Sequence, residues 1–539
     1  MIQKKEKFGI GKNVVKAQRE CVIRLLDRKD SGEEEMMKIV RQVCRDYCVD
    51  CVNLKKSHLL EVYHNLLTKE NIERSEKFEN LIKKRGIRTA SGVSVISVMT
   101  KPLGCPGQCV YCPNQANMPK SYLDNQPAAM RGVMNDFDPF EQVYSRLEML
   151  AKMGHDVSKN EVIVLGGTFS AHPVRYQELF VKRLFDAFNM FGKKYDGKIV
   201  DNLNQAKTTN ETAECRMIGL TIETRPDYIT KDELKWLRYL GVTRVELGVQ
   251  SVNDDILLDV KRGHDVESIK NATHLLRLAG FKIVYHMMPG LPGSTIGRDV
   301  EMFEELFSDQ GFFPDHLKIY PTVVLENSEL YDWWLAGKYK PYEEKEVVEV
   351  LGRIKEKIPP WVRIVRVMRD IPENSIVAGV KCSNLRQILQ NRGVKCKCIR
   401  CREPRNKKIS NFKSRITNYQ VNGGEEYFLN MESDDGNYIL ALLRLFLPAV
   451  DELGTIMPEI QNCAMIRELH TYGVVAGVDE KGNQTQHRGM GKKLMLQAEE
   501  IARNNGYKKM AVISGVGVRQ YYKKIGYSLK GEYMVKDLV

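Results

Sequence analysis

The chain reads as an α/β protein: a helical N-terminal region, a partial (β/α) barrel, a cysteine-rich linker and a C-terminal α+β domain. Three observations predict this. From about residue 91, short apolar strands alternate with amphipathic helical stretches, the pattern of a parallel sheet with crossover helices. A loop of three cysteines follows the first of those strands, at the end where such barrels keep their chemistry. Past about residue 412 the order becomes strand, turn, strand, strand, glycine-rich loop and helix.

Length and composition bound the answer. With 539 residues the chain suits about three or four domains. No apolar run has the length of a membrane span, and MIQKKEKFGIGKN has no apolar signal core, so a cytoplasmic protein with no membrane role is expected. Thirteen cysteines in such a chain argue for metal or redox chemistry and against a disulfide framework. The net charge of +13 is unevenly spread. Residues 1–90 hold 21 Lys and Arg against 14 Asp and Glu, and residues 395–415 hold 9 against 1. Two basic patches on an otherwise balanced chain point to a polyanion, most simply nucleic acid; ordinary solvated surface is the alternative.

Residues 1–90 form the first segment, with apolar residues at helical spacing in VVKAQRECVIRLLDR and SHLLEVYHNLL. Cys44, Cys48 and Cys51 within it have C-x3-C-x2-C spacing. Their surroundings hold no Pro or Gly, so the spacing predicts one helical face of buried thiols.

The barrel segment, 91–380, has candidate strands at Val93–Val98, Glu161–Leu165, Met217–Ile222, Arg244–Val249, Lys282–Met287 and His316–Tyr320. KPLGCPGQCVYCP follows the first, with Cys105, Cys109 and Cys112 again at C-x3-C-x2-C spacing. Here Pro102, Gly104, Pro106, Gly107 and Pro113 exclude a helix and let three thiolates wrap one point. Three thiolates on a four-iron cluster leave one iron open to a substrate; a structural zinc loop is the alternative, though no fourth ligand follows nearby. The loop resembles that of the radical S-adenosylmethionine (SAM) enzymes. Gly166-Gly167-Thr168 ends the second strand and is similar to the element that holds the SAM amino group in that family. Glu223 and Arg225, after the third strand, suit the amino and carboxylate groups of SAM, or an ion pair within the barrel.

In the linker, 381–411, Cys396, Cys398 and Cys401 stand in a basic loop. Their C-x-C-x2-C spacing suits structural zinc, with Cys382 as fourth ligand, or a second iron–sulfur cluster. In the last segment, 412–539, Gln486, Arg488, Gly489, Met490 and Gly491 lead from a strand into a helix, whose N-terminus suits a pyrophosphate. With Lys509–Ile513 and Tyr521-Tyr522 downstream, the order resembles the GCN5-related N-acetyltransferases, which bind acetyl-CoA.

The combination resembles the family of the Elongator catalytic subunit, through GCPGQCVYCPNQ, LGGTFSAHP, GLTIETRPDY, RVELGVQS, VKRGHD, HMMPGLPG, IRELHTYG and QHRGMGKKLM. The tight spacing of Cys105 and Cys109 suggests an archaeal or bacterial, stand-alone member. The resemblance implies a tRNA wobble-uridine carboxymethylation enzyme, with SAM, a 4Fe–4S cluster, acetyl-CoA and Zn2+. It implies a 5′-deoxyadenosyl radical that activates the acetyl methyl, which then joins C5 of the uridine. Its partners would be tRNA, an electron donor and, where the organism has them, other Elongator subunits; homo-oligomers stay open. It assigns acetyl-CoA contacts to Glu468, Leu469, His470, Thr471, the Gln486–Gly491 loop, Tyr521 or Tyr522, and Lys159. Tyr521 or Tyr522 would protonate the departing thiolate, His470 and Glu468 would position water or pack, and Lys261 would touch thioester or RNA. A lysine N-acetyltransferase with an inert barrel, or a tRNA-binding scaffold, are the competing readings.

Overall fold

The computed structural model describes residues 12–28, 32–70, 72–73, 75–82, 92–193, 201–405, 407, 409–472 and 489–538. They belong to two compact units, Met1–Ser94 with Ser145–Val157, and Val95–Tyr144 with Ser158–Val539. No helix among the described residues is long and apolar enough to cross a membrane.

The first unit begins with α1 (Lys12–Asp27), α2 (Glu33–Asp46), α3 (Lys56–Lys69) and α4 (Glu76–Ile82). Their apolar stripes close on a core that includes Cys21, Val22, Val40, Val43, Leu59, Tyr63 and Phe78. The expected helical face of three thiols is corrected here. The helix ends at Asp46, and Cys48 takes a left-handed φ of 52°. Cys51 opens a 3-10 turn that Asp50 caps by accepting from the Val52 N–H. Cys44 alone of the three is buried; Cys48 and Cys51 are exposed.

The barrel chain runs β1 (Ser94–Met99), α5 (Pro127–Met134), α6 (Pro139–Lys152), β2 (Lys159–Leu165), α7 (Val174–Met190), α8 (Leu203–Asn210), β3 (Arg216–Thr224), α9 (Lys231–Leu240), β4 (Arg244–Gln250), α10 (Asp254–Asp259) and α11 (Val266–Leu278). It continues through β5 (Lys282–Met287), α12 (Ile296–Glu305), β6 (His316–Ile319), β7 (Val324–Leu325), α13 (Glu329–Leu335), α14 (Glu344–Lys357), β8 (Arg363–Arg366), β9 (Ile376–Ala378) and α15 (Leu385–Asn391). The sheet order is β1-β2-β3-β4-β5-β6-β8, a half-barrel, with parallel pairing from β2 to β8. Side-chain caps start the crossover helices: Thr230, Asp265 and Thr295 each accept from a backbone N–H three residues on. In β2, Val162 and Val164 are buried, while Glu161, Ile163 and Leu165 keep partial exposure on the opposite face. On that face Lys159 and Glu161 are the polar residues, at the N-terminal end of the strand.

The C-terminal part is a second seven-stranded sheet of order β10-β11-β12-β13-β14-β16-β15. Its elements are β10 (Phe412–Val421), β11 (Gly424–Ser433), β12 (Ile439–Pro448), β13 (Cys463–Thr471), α16 (Met490–Asn504), β14 (Lys509–Val512), α17 (Arg519–Lys524), β15 (Ser528–Lys530) and β16 (Tyr533–Asp537). This sheet packs on the barrel through buried ions. Arg467 of β13 bonds both oxygens of Asp315, just ahead of β6, and Glu426 of β11 at 2.6 Å. Burial alone would raise the Asp315 pKa; Arg467 and Arg444 instead lower it to about 2. Gly515 completes the contact: a Cβ there would fall 1.9 Å from the Ile218 carbonyl oxygen of β3.

Candidate active site

The cysteine loop leaves the C-terminal end of β1, and its prolines and glycines keep it free of helix and strand. Gly107 sits at the centre. A Cβ there would stand 3.5 Å from Cys109 Sγ, 3.6 Å from Cys105 Sγ and 3.0 Å from Arg225 Nη1. A hydrogen bond from Cys112, helped by the Arg262 guanidinium 3.5 Å away, favours the Cys109 thiolate and lowers its pKa to about 5. Cys112 and Cys109 are thus in contact, and Cys105 stands beside Cys109 at the same glycine.

The turn after β2 is built toward this loop. Gly166 and Gly167 take φ of 140° and 91°, and a Cβ on Gly166 would fall 1.9 Å from Thr100 Oγ1. Thr168 Oγ1 lies 3.7 Å from Cys105 Sγ. The residues present therefore fit an open cluster beside a glycine-built ligand cradle.

Below the loop, four consecutive strands each contribute one inward charged or imidazole side chain. Glu223 of β3 is in register with Glu246 of β4, and His286 of β5 with Lys318 of β6. His286 Nε2 bonds Glu246 Oε2 at 2.8 Å, and the Lys318 ammonium bonds the same oxygen. Tyr122 donates to Glu223 at 2.7 Å. Burial would raise the Glu246 pKa, but Lys318 and His286 hold it well below the usual carboxylate range. Glu223, Glu246 and His286 also gather within 4.8 Å, and Lys318 is the cation that answers them.

Several sequence expectations change at this point. Glu223 and Arg225 each have the ion-pair partner that is the alternative to a SAM contact: Lys318 Nζ lies 4.0 Å from Glu223, and Arg225 is bonded to both oxygens of Asp227 at 2.9 Å and to the Gly263 carbonyl. In VKRGHD, Lys261 is a surface cation 2.6 Å from Glu329, whereas its neighbour Arg262 is buried and reaches Cys109. Lys159 is the first residue of β2, half-buried on the same face as Glu161.

In the C-terminal sheet β13 and β14 pair only as far as Ile466 and Val512, with one more bond from the Ile513 N–H to the Ile466 carbonyl. Past that split Leu469 and Thr471 share one face of β13 and meet the start of α16. A Cβ on Gly491 would stand 3.4 Å from Tyr521 Oη, 3.5 Å from Thr471 Cγ2 and 3.9 Å from Leu469 Cδ2. Gly489, at φ 102°, turns the chain into the helix, and Met490 is buried in the core beneath. Tyr521 brings a hydroxyl to this cradle, while Tyr522 is a core side chain against Tyr527. Gln486 and Arg488 lie outside the described residues. Glu468 and His470 take the other face of β13, toward the barrel, with Lys282 Nζ 3.5 Å from Glu468. They do not join the Gly491 cradle.

The linker thiols form a tighter group. The Sγ atoms of Cys396, Cys398 and Cys401 all lie within 4.8 Å of one another. Hydrogen bonds from Cys396 and Cys401 favour the Cys398 thiolate, lowering its pKa to about 2, and Lys355 Nζ stands 3.7 Å from Cys401 Sγ. This geometry fits one thiophilic ion. Cys382 is not in the group; it lies beside Glu344, which with burial raises its pKa. Arg262, Glu246, Tyr122 and Lys318 are the site residues that sequence reasoning missed.

Comparison with known proteins agrees with this geometry. Residues 99–306 match the radical SAM superfamily and residues 314–393 its C-terminal domain. The chain is 41% identical to tRNA uridine(34) acetyltransferase of Methanocaldococcus jannaschii, over 96% of this chain and 97% of that one. It is 41% identical to human Elongator complex protein 3, over 85% and 86%. The structure of archaeal Methanocaldococcus infernus Elp3 lacking residues 1–46 superposes with a TM-score of 0.70 at 40% identity, covering 83% of this chain and 99% of that one. The chain belongs to the family of the tRNA uridine(34) acetyltransferases and Elongator complex protein 3.

Proposed function

We propose that this protein attaches the acetyl carbon of acetyl-CoA to C5 of the wobble uridine of tRNA, giving 5-carboxymethyluridine. One observation carries the reading: a cluster-type cysteine loop follows the first strand of the half-barrel, and β13, whose pairing with β14 stops at Ile466, packs through Glu468 against Lys282 at the start of β5. Uridine C5 is a poor nucleophile and an acetyl methyl a weak acid, so forming the carbon–carbon bond between them calls for radical chemistry. Cys105, Cys109 and Cys112 would hold a 4Fe–4S cluster, which with SAM would supply a 5′-deoxyadenosyl radical.

The chain's own residues do the rest. Gly166, Gly167 and Thr168 cradle the SAM amino-acid end, and Glu223 faces its ammonium. Gly489, Met490 and Gly491, with Gln486 and Arg488, receive the CoA pyrophosphate, and Leu469 and Thr471 line the pantetheine path. Tyr521 is the acid for the departing thiolate. Zn2+ on Cys396, Cys398 and Cys401 braces the basic linker. We assign tRNA contact to residues 1–90, the barrel to 91–380, the zinc linker to 381–411 and acetyl-CoA to 412–539. The wobble base leaves its stack to reach the barrel, and an external reductant works with the enzyme in the cytoplasm.

The test is anaerobic turnover of reconstituted protein with SAM, dithionite, acetyl-CoA and tRNA. Carboxymethyluridine is expected from wild type and none from Cys109→Ala. Acetyl-lysine on a peptide with no tRNA product would sink the reading.

A further inference from the structure

The floor of the barrel holds a second polar layer, one turn of the strands below Glu223, Glu246, His286 and Lys318. Glu161 of β2 bonds Arg244 of β4 at 2.6 Å. Lys282 of β5 lies 3.5 Å from Glu468 Oε1, and His316 Nε2 of β6 lies 3.9 Å from Glu468 Oε2. Arg444 of β12 fixes that second oxygen at 3.0 Å. His470, two residues on, has its ring against Tyr472 with centroids 4.4 Å apart, and the Tyr472 hydroxyl accepts from Arg363 at 2.7 Å.

Two features of this layer bear on what it can hold. His470 Nε2, His316 Nδ1, Arg244 Nε and Thr221 Oγ1 are all buried with no hydrogen-bond partner. Buried polar atoms of this kind are satisfied by water or a ligand. The layer also lies on the barrel side of β13, where β13 and β14 have parted, opposite the Leu469–Thr471–Gly491–Tyr521 cradle. Ser514, the first residue past the end of that gap, has a buried hydroxyl that is also unpartnered. A thioester held in the cradle has only the width of β13 between it and Glu468 and His470, at the place where β13 has no hydrogen-bonded neighbour on the β14 side.

We propose that this floor is the site of thioester hydrolysis, with His470 the general base, His316 and Glu468 positioning the water, and Lys282 facing the carbonyl oxygen. The proposal rests on the reading that acetyl-CoA is the acyl donor. Water adds to the thioester carbonyl as its proton passes to His470 Nε2. The oxyanion forms beside the Lys282 ammonium. Collapse breaks the C–S bond, Tyr521 gives its proton to the CoA sulfur and regains one from solvent, and the imidazolium and the new carboxyl group each release a proton to solvent. Burial, with Arg363 and Lys282, lowers the His470 pKa to about 4, so the ring is neutral and ready to accept a proton near pH 7.

The test uses full-length His470→Gln and His316→Gln with acetyl-CoA and tRNA. Free CoA is measured by chromatography and acetyl-CoA affinity by calorimetry. His470→Gln is expected to slow CoA release by about 100-fold or more, with Kd for acetyl-CoA within about twofold of wild type; His316→Gln should slow it by roughly tenfold. With reconstituted enzyme, His470→Gln should also accumulate tRNA carrying uridine joined to CoA through an uncleaved thioester, seen by mass. A merely structural role would not produce that adduct. CoA release near the wild-type rate overturns the proposal, as does a loss of release that only follows a loss of affinity. Wild type that binds no acetyl-CoA would instead overturn the acyl-donor reading beneath it.

Discussion

The loop of Cys105, Cys109 and Cys112 and the loop of Cys396, Cys398 and Cys401 are two answers to one problem, that of holding three thiolates together. In the first, Cys105 and Cys109 flank a glycine, Cys112 bonds Cys109, and a buried arginine faces Cys109. In the second they crowd within 4.8 Å, and a lysine meets the outermost. In the first, Cys105 and Cys112 keep partial exposure; the second is tied to the residue ahead of β8 by the Ile399 N–H donating to the Val362 carbonyl. Size and access of the bound group therefore follow from backbone, since the ligand chemistry is the same. Cys44, Cys48 and Cys51 complete the contrast. They share the first loop's spacing, yet a helix end and a capped turn leave two of them at the surface.

Substitutions break this comparison in a graded order. Cys109→Ala should remove the iron and lower tRNA modification by more than about 1000-fold, while zinc stays near one per chain by elemental analysis. Cys398→Ala should do the reverse for metal content. It should also destabilise the fold by roughly 2–4 kcal/mol in thermal melts, because a structural ion adds its binding energy to folding. If either variant loses both metals, the two loops are not independent. Arg262→Met keeps the cysteines but removes the cation at Cys109. The reduction potential of the reconstituted protein should then fall by on the order of 50 mV, or about 1 kcal/mol; an unchanged potential would make Arg262 a packing residue. Cys51→Ser should change neither metal content nor, by more than about 0.5 kcal/mol, stability, and any loss of iron would reopen the N-terminal triplet.

Much of the fold was legible in the chain. The six expected strands fall within a residue or two of β1 to β6, because each is a short apolar run bounded by turn residues. The Asp434–Asn437 turn and the start of α16 at a glycine were equally plain. What escaped was the interior of the half-barrel. In RVELGVQ, Glu246 alternates with apolar neighbours as a solvent-facing residue would, and only sheet curvature turns that face into a lumen. Lys318 hid in the same way. Arg262 followed a lysine, and nothing in two adjacent basic residues says which one is buried. The N-terminal triplet misled for a different reason: Cys48 breaks the helix with a left-handed φ although no Pro or Gly marks the place.

The buried arginines of the C-terminal sheet have a consequence for modularity. Arg467 and Arg444 are wholly buried, and both meet Asp315, which comes from the barrel. An acetyltransferase fold that met the barrel through neutral, solvated side chains could be cut out, swapped or reused alone. Cut from the barrel, this one would lose Asp315, the carboxylate that both arginines share, and keep only Glu426 and Glu468 to answer them. The two halves are thus committed to each other by charge, and change in one is answerable to the other across Asp315.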